Sequence, residues 1–347
     1  MDVPAKPSRF AWSAVGLLIG GVLLALVLTR LDLGEAWTRL TQLDPRRLLL
    51  PLAITLIAVP VRPWRWRFSF PPQHRPRFAA SVYAFYLSLM VNNIAPARGG
   101  DVLRCFLIGR DRSLHNASRV LGTLALEKLL DGLALLAVVT LSLFFVGDAV
   151  WLTRLAACAG LIFIAAFVAF WLLQRRPDLF QRIIQKFVRI LRRPTLTEKI
   201  DTLFVSLTEG LSAVGQPRRL CVLLLATALV WALEAAFVWA MAAAVAVPLS
   251  YAAAALVTAV LGLGLMIPAA PGYIGTYEFF TVAVLGLFGI APENALALTL
   301  SMHAWVLITT TGLGLVALAA SGLKLSSLLT PNVGSAREIE EPKTHGE

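Results

Sequence analysis

Asn93, Arg98, Gly99, Gly100, Asp101 and Arg104 lie in the stretch NNIAPARGGDVLR (92–104), which ends a run of 20 residues, 78–97, without a charge. Pro96 removes a backbone donor, and Gly99–Gly100 allow a tight reversal with exposed amides. Asp101 is placed to cap a helix over 102–110. Amides at such a helix start bind anions, and Arg98 and Arg104 flank it, so a phosphate headgroup is a chemically sensible occupant. The alternative is that Asp101 pairs with Arg98 or Arg104 and only closes the turn.

Three further groups could do chemistry. Glu127 and Asp131, four apart, share one face of an apolar helix, and Lys128 can reach Asp131 at three residues. Charges there face a bundle interior or a wet cavity, and Arg62, Arg98 or Arg104 would neutralise them. Whether the acids form a relay or a scaffold stays open. PAAPGYIGTYE (268–278) repeats the broken pattern: Gly272 and Gly275 open the backbone, Thr276 is a candidate cap, and Tyr273 and Tyr277 add hydroxyls. Glu278 is the only acid between Ala235 and Pro292, so it needs a partner or water. Glu234 and His303 are isolated polar groups; for His303 an interhelical hydrogen bond competes with a proton relay.

The elements that must hold these residues are membrane helices. The chain has 347 residues, 58% hydrophobic and 15% charged, with mean hydropathy +0.76. Soluble domains carry about 25% charged residues. Uncharged runs of 20, 19 and 43 residues (10–29, 155–173 and 235–277) meet the length of roughly 20 that a span requires. The first is too long for a signal core and lacks a cleavage site, so it reads as a retained helix. Cys105, Cys158 and Cys221 suggest neither disulfides nor a metal site. The net charge of +11 reads as basic cytoplasmic loops rather than nucleic-acid binding. No cofactor is expected.

Loop charge then threads the chain. Residues 62–77 hold five arginines and no acid, and 174–219 hold ten basic residues against four acids, so both are expected inside. With residues 1–9 inside as well, 78–119 must start and finish there as a hairpin, and 251–290 must do so from outside. The two tips align at an offset of 175, Pro96 with Pro271 and Gly100 with Gly275. The expected fold is all-α and polytopic, with about six full spans, two broken or re-entrant hairpins and an inverted repeat, a pattern that places substrate sites at the repeat interface. Within 175–218, a basic amphipathic stripe over 179–188 suits an anionic leaflet, and a second stripe over 196–214 suits packing on the bundle. The tail, 326–347, is polar and expected to be disordered.

The motifs NxxPxxGGDxxR, ExxxD (Glu127, Asp131) and PGYIGTYE resemble the flippase-like integral membrane family, the transmembrane region of lysylphosphatidylglycerol synthases, over residues 10–325. The resemblance implies a bacterial cytoplasmic-membrane protein that moves or handles lipids between leaflets; from their charge, the tip residues are the expected headgroup ligands. The chain ends soon after its last span, so the synthases' aminoacyltransferase domain is expected to be absent and the protein not to be an enzyme. Membrane lipids are the expected partners. A lipid translocase leads; a non-catalytic accessory subunit of a lipid or glycolipid biosynthetic enzyme is the alternative.

Overall fold

The computed structural model describes residues 18, 21–23, 25, 44–94, 99–108, 114–146, 149–190, 194–267 and 270–321. Most of the expected first span over 10–30, Pro96, Arg98, Pro268, the N-terminal nine residues and the tail lie outside the described residues.

The protein is an all-α polytopic membrane protein. Its helices are α1 (Leu49–Ser69), α2 (Phe78–Ile94), α3 (Gly99–Leu107), α4 (Leu114–Val146), α5 (Val150–Arg175), α6 (Pro177–Ile190), α7 (Pro194–Gly210), α8 (Pro217–Ala244), α9 (Tyr251–Gly264), α10 (Thr276–Leu287) and α11 (Pro292–Ser321). Among the described residues, five segments carrying α1, α4, α5, α8 and α11 are long and apolar enough to cross a bilayer. Their outward faces carry large apolar side chains such as Phe144, Phe145, Leu161 and Ile308. In water this surface would be a liability; in lipid it is the expected exterior.

One end of the bundle gathers the basic segments. Phe68 of α1, Leu173 of α5, Phe204 of α7 and Leu223 of α8 share one apolar cluster. Arg219 Nη2 donates to the carbonyls of Phe68, Ser69 and Phe70 at 3.4, 3.1 and 2.8 Å, which satisfies the open end of α1. The second amphipathic stripe packs on α4, as its spacing suggests. Side chains of most of the first stripe lie outside the described residues.

Helices α2 and α3 leave from this end and return to it: Phe70 after α1, Ala84 of α2, Cys105 of α3 and Ala117 of α4 bury one another. Helices α9 and α10 do the same from the opposite end, where Val247, Leu285 and Ala295 join Val139 in the main core. Each helix of the two pairs falls short of the roughly 20 residues a span needs, at 17 and 9 residues and at 14 and 12.

The α4–α7 crossing rests on two glycines. A Cβ on Gly210 would strike the Arg119 carbonyl, and one on Gly122 the Leu207 carbonyl, so the helices touch backbone to backbone. Arg119 Nε donates to Glu209 Oε2 at 2.8 Å beside the crossing. We predict that Gly210→Val costs about 1–3 kcal/mol by overpacking. Faster proteolysis within 177–215 in detergent would register it; an unchanged cleavage rate would refute the close crossing.

Candidate functional site

Sequence spacing puts opposite charges on facing helices. Arg62 and Arg65 share one face of α1, and Glu127 and Asp131 one face of α4. The loop charge suggested that α1 stops near residue 62, yet it runs on to Ser69. The arginines can stay helical at this depth because they turn inward onto acids.

Arg65 grips Asp131 with both terminal nitrogens: Nη1 donates to Oδ1, and Nη2 to Oδ2 at 3.2 Å. Nη2 also donates to Glu127 Oε1 at 3.4 Å, and Nη1 to Thr227 Oγ1 at 3.1 Å. Such forked pairing fixes geometry as well as charge. Trp231 Nε1 donates to Asp131 Oδ1 at 3.0 Å. The other oxygen of Glu127 accepts from Arg104 Nη2 at 2.8 Å. Arg104 also lies over the Trp66 and Phe85 rings, 3.7 and 4.6 Å from their centroids, a cation held between two aromatic faces. Arg65, Arg104, Glu127 and Asp131 are 4, 2, 5 and 6% exposed. Two cations and two anions cancel, which is what burial requires. Arg62 and Glu234 form a second pair, half-buried, between α1 and α8.

Arg104 therefore turns to Glu127, away from the turn-closing role considered above. The helix it occupies starts at Gly99 and ends at Leu107, so Asp101 sits inside the first turn rather than before it. The cap is instead Asn92, whose Oδ1 accepts from the Gly100 amide at 2.9 Å while its Nδ2 donates to Asp101 Oδ1 at 3.3 Å. Neighbouring Asn93 donates to Thr310 and Thr311 Oγ1 of α11 at 2.9 and 3.0 Å.

The second tip is tied to the same helix. Gly275, at φ 86°, precedes α10 as its N-cap, and Thr276 is the first helical residue rather than the cap. Glu278 Oε2 accepts from the Gly275 amide at 2.7 Å. Its Oε1 lies 2.5 Å from His303 Nδ1, and His303 Nε2 lies 2.7 Å from the Gly272 carbonyl oxygen. The Tyr277 ring stacks on the imidazole at 4.2 Å, 6° from parallel. The buried acid has its partner, and His303 makes interhelical hydrogen bonds. The tips also meet: a Cβ on Gly272 would lie 3.6 Å from the Asn93 carbonyl oxygen.

Between them is a cavity of about 280 Å³. Asn92, Asn93, Asp101 and Arg104 line it from the first half; Gly272, Tyr273, Tyr277 and His303 line it from the second. Arg62, Arg65, Glu127, Lys128, Asp131 and Glu234 complete the polar wall, and Trp231, Trp305, Leu261 and Val306 an apolar one. Gly99, Gly100, Gly275, Thr276 and Glu278 stand behind this surface. Lys128, half-buried in the wall, carries no ion pair or hydrogen bond among the described residues.

Residues 13–314 match the family described as lysylphosphatidylglycerol synthase TM region. The chain belongs to this family. It is also similar to Glycosyltransferase AglD of Haloferax volcanii, 24% identical over 373 residues, which cover 98% of this chain and 59% of that protein. The chain thus spans about three fifths of the length of that curated relative. In this member the sequence motifs mark both tips and the acids of α4, but not Arg65, Trp66 or Trp231. The signal for Arg65 was its three-residue spacing from Arg62, which puts both arginines on one helix face as the four-residue spacing does for the acids of α4.

We predict that Arg65→Met alone destabilises the protein by about 3–5 kcal/mol, because Asp131 is left buried and uncompensated. Arg65→Met with Asp131→Leu should recover most of that loss, since Glu127 keeps Arg104. Thermal unfolding in detergent measures both; equal losses would contradict the pairing.

Proposed function

We propose that the protein is a lipid translocase of the cytoplasmic membrane, which holds a polar headgroup between its two tips while the acyl chains stay in the bilayer. The observation that carries this reading is the cavity itself, with Lys128, which makes no ion pair or hydrogen bond among the described residues, beside ion pairs that neutralise one another. Its volume lies at the low end for small-molecule sites and suits a headgroup, not a whole lipid. A bare charge at the bilayer centre costs at least about 2.5–3.5 kcal/mol. A polar wall at that depth substitutes for water and lowers the barrier. Hairpins of matching form from opposite ends, which we read as an inverted repeat, support alternate opening to the two sides. Lys128 is the ligand for an anionic group, and Tyr273 and the second amide N–H of Asn92 can donate to its oxygens. The protein makes and breaks no covalent bond in this reading.

The likeness to a protein named a glycosyltransferase favours a second reading, in which the membrane domain presents a lipid to a biosynthetic enzyme without moving it. Co-purification of such an enzyme, with no translocation by the isolated protein, would favour this one.

The test is reconstitution in phosphatidylglycerol liposomes carrying a fluorescent phosphatidylglycerol, with an impermeant quencher added outside. Wild-type protein should expose inner-leaflet label. Lys128→Gln should slow exposure by about tenfold, the worth of one charge-assisted hydrogen bond. Equal rates would remove Lys128 from the site, and no exposure by wild type would sink the translocase. Mass spectrometry of retained lipid identifies the headgroup.

A further inference from the structure

We infer that Glu278 and His303 form a proton-binding site that couples headgroup passage to proton movement, an inference that rests on the translocase reading. The argument starts from a carbonyl. Gly272 O can only accept a hydrogen bond, so His303 Nε2, 2.7 Å away, carries a hydrogen. The remaining ring nitrogen, Nδ1, then faces Glu278 Oε1 at 2.5 Å. Without a proton between them, a lone pair meets a carboxylate oxygen and the contact is repulsive. With a proton on each, two donors meet. The contact therefore marks one bound proton, shared by the pair, and either loss or gain of a proton breaks it.

Among the described residues the surroundings leave the pair to act alone. Tyr277 of α10 stacks on the imidazole and offers no charge. On α8, Glu234 is already paired with Arg62 of α1. From α2 come Tyr86, whose hydroxyl donates to the Val59 carbonyl, and the neutral Asn93. On α9 the titratable residue is Tyr251, at its far start. On α11 itself, Glu293 lies ten residues away, in the first turn. A proton entering or leaving must change this bond.

What the bond holds is the second tip. Gly272 and Tyr273 have φ of 65° and 60°, and the tyrosine is strained there. Breaking the His303–Glu278 link releases from α11 the residue that caps Gly275, and with it a tip that is already under strain. His303 also lines the cavity, so proton and headgroup share one space. A proton from the cavity occupies the Nδ1–Oε1 bond and latches the tip to α11; its departure unlatches the tip.

Two measurements test this. In the fluorescent phosphatidylglycerol liposomes, an imposed difference of one pH unit should shift the steady-state leaflet ratio about tenfold if one proton moves per lipid. This ratio does not depend on which way the protein is inserted. Glu278→Gln and His303→Gln should abolish the response. Lipid that equilibrates to the same ratio with and without the gradient overturns the coupling and leaves a passive translocase. If no lipid moves, the translocase fails and coupling with it. Separately, ¹⁵N-histidine NMR of the full chain in nanodiscs, assigned with His303→Gln, should show a protonated Nε2 and a strong Nδ1 hydrogen bond that Glu278→Gln removes. A His303 signal indifferent to Glu278→Gln overturns the proton site whatever lipid does.

Discussion

The fold is governed by the cost of placing ions in hydrocarbon. Glu127 and Asp131 cannot face lipid, so α4 must turn them toward Arg65 and Arg104, and that single demand fixes three helices. α1 is held in register because a one-residue slip would carry Arg65 about 100° around the helix. α3 is drawn back along α4 by Arg104, which makes a hairpin of α2 and α3. Paired ions of this kind contribute little net stability compared with well-packed apolar residues, but they penalise every other arrangement heavily. Here they specify where a polar wall can exist inside a membrane.

With that wall in place, the rest of the bundle can be apolar and closely packed. Small residues carry the contacts, because lipid gives no hydrophobic drive for helices to associate. α2 lies against α11 where Gly314 faces Met90 and Tyr86, as α7 lies against α4 through Gly122 and Gly210. α5 lies at the edge of the described bundle, burying little besides Leu152, Ala156, Ala159 and Leu173.

Much of this was legible in sequence because membranes impose coarse rules. Run length marked α5, loop charge grouped the basic segments that share one end, and Gly/Pro interruptions marked both tips. Glu278 was recognisable as an acid in need of a partner, and its solitude is what made it visible. The charge rule that served for topology concealed Arg65, because it counts arginines without asking which way they point, and Arg62, expected at the acids of α4, pairs with Glu234 instead. The cap of α3 was hidden for a similar reason: Asn92 lies before the break in sequence and folds back across it. Pairings over 62, 66 and 25 residues, such as Arg65–Glu127, Arg65–Asp131 and Glu278–His303, depend on how helices assemble, which no local pattern states.

The two anchors on α11 have a geometric consequence. His303 and Thr310 are seven residues apart, nearly two full turns, so they lie on one stripe about 10 Å apart along the axis. Each holds one tip. A roll of α11 about its own axis would swing both anchors the same way at once, as lobes on a camshaft turn together. The two halves then have a common timing element, and the order in which they open is set by a rotation of one rod.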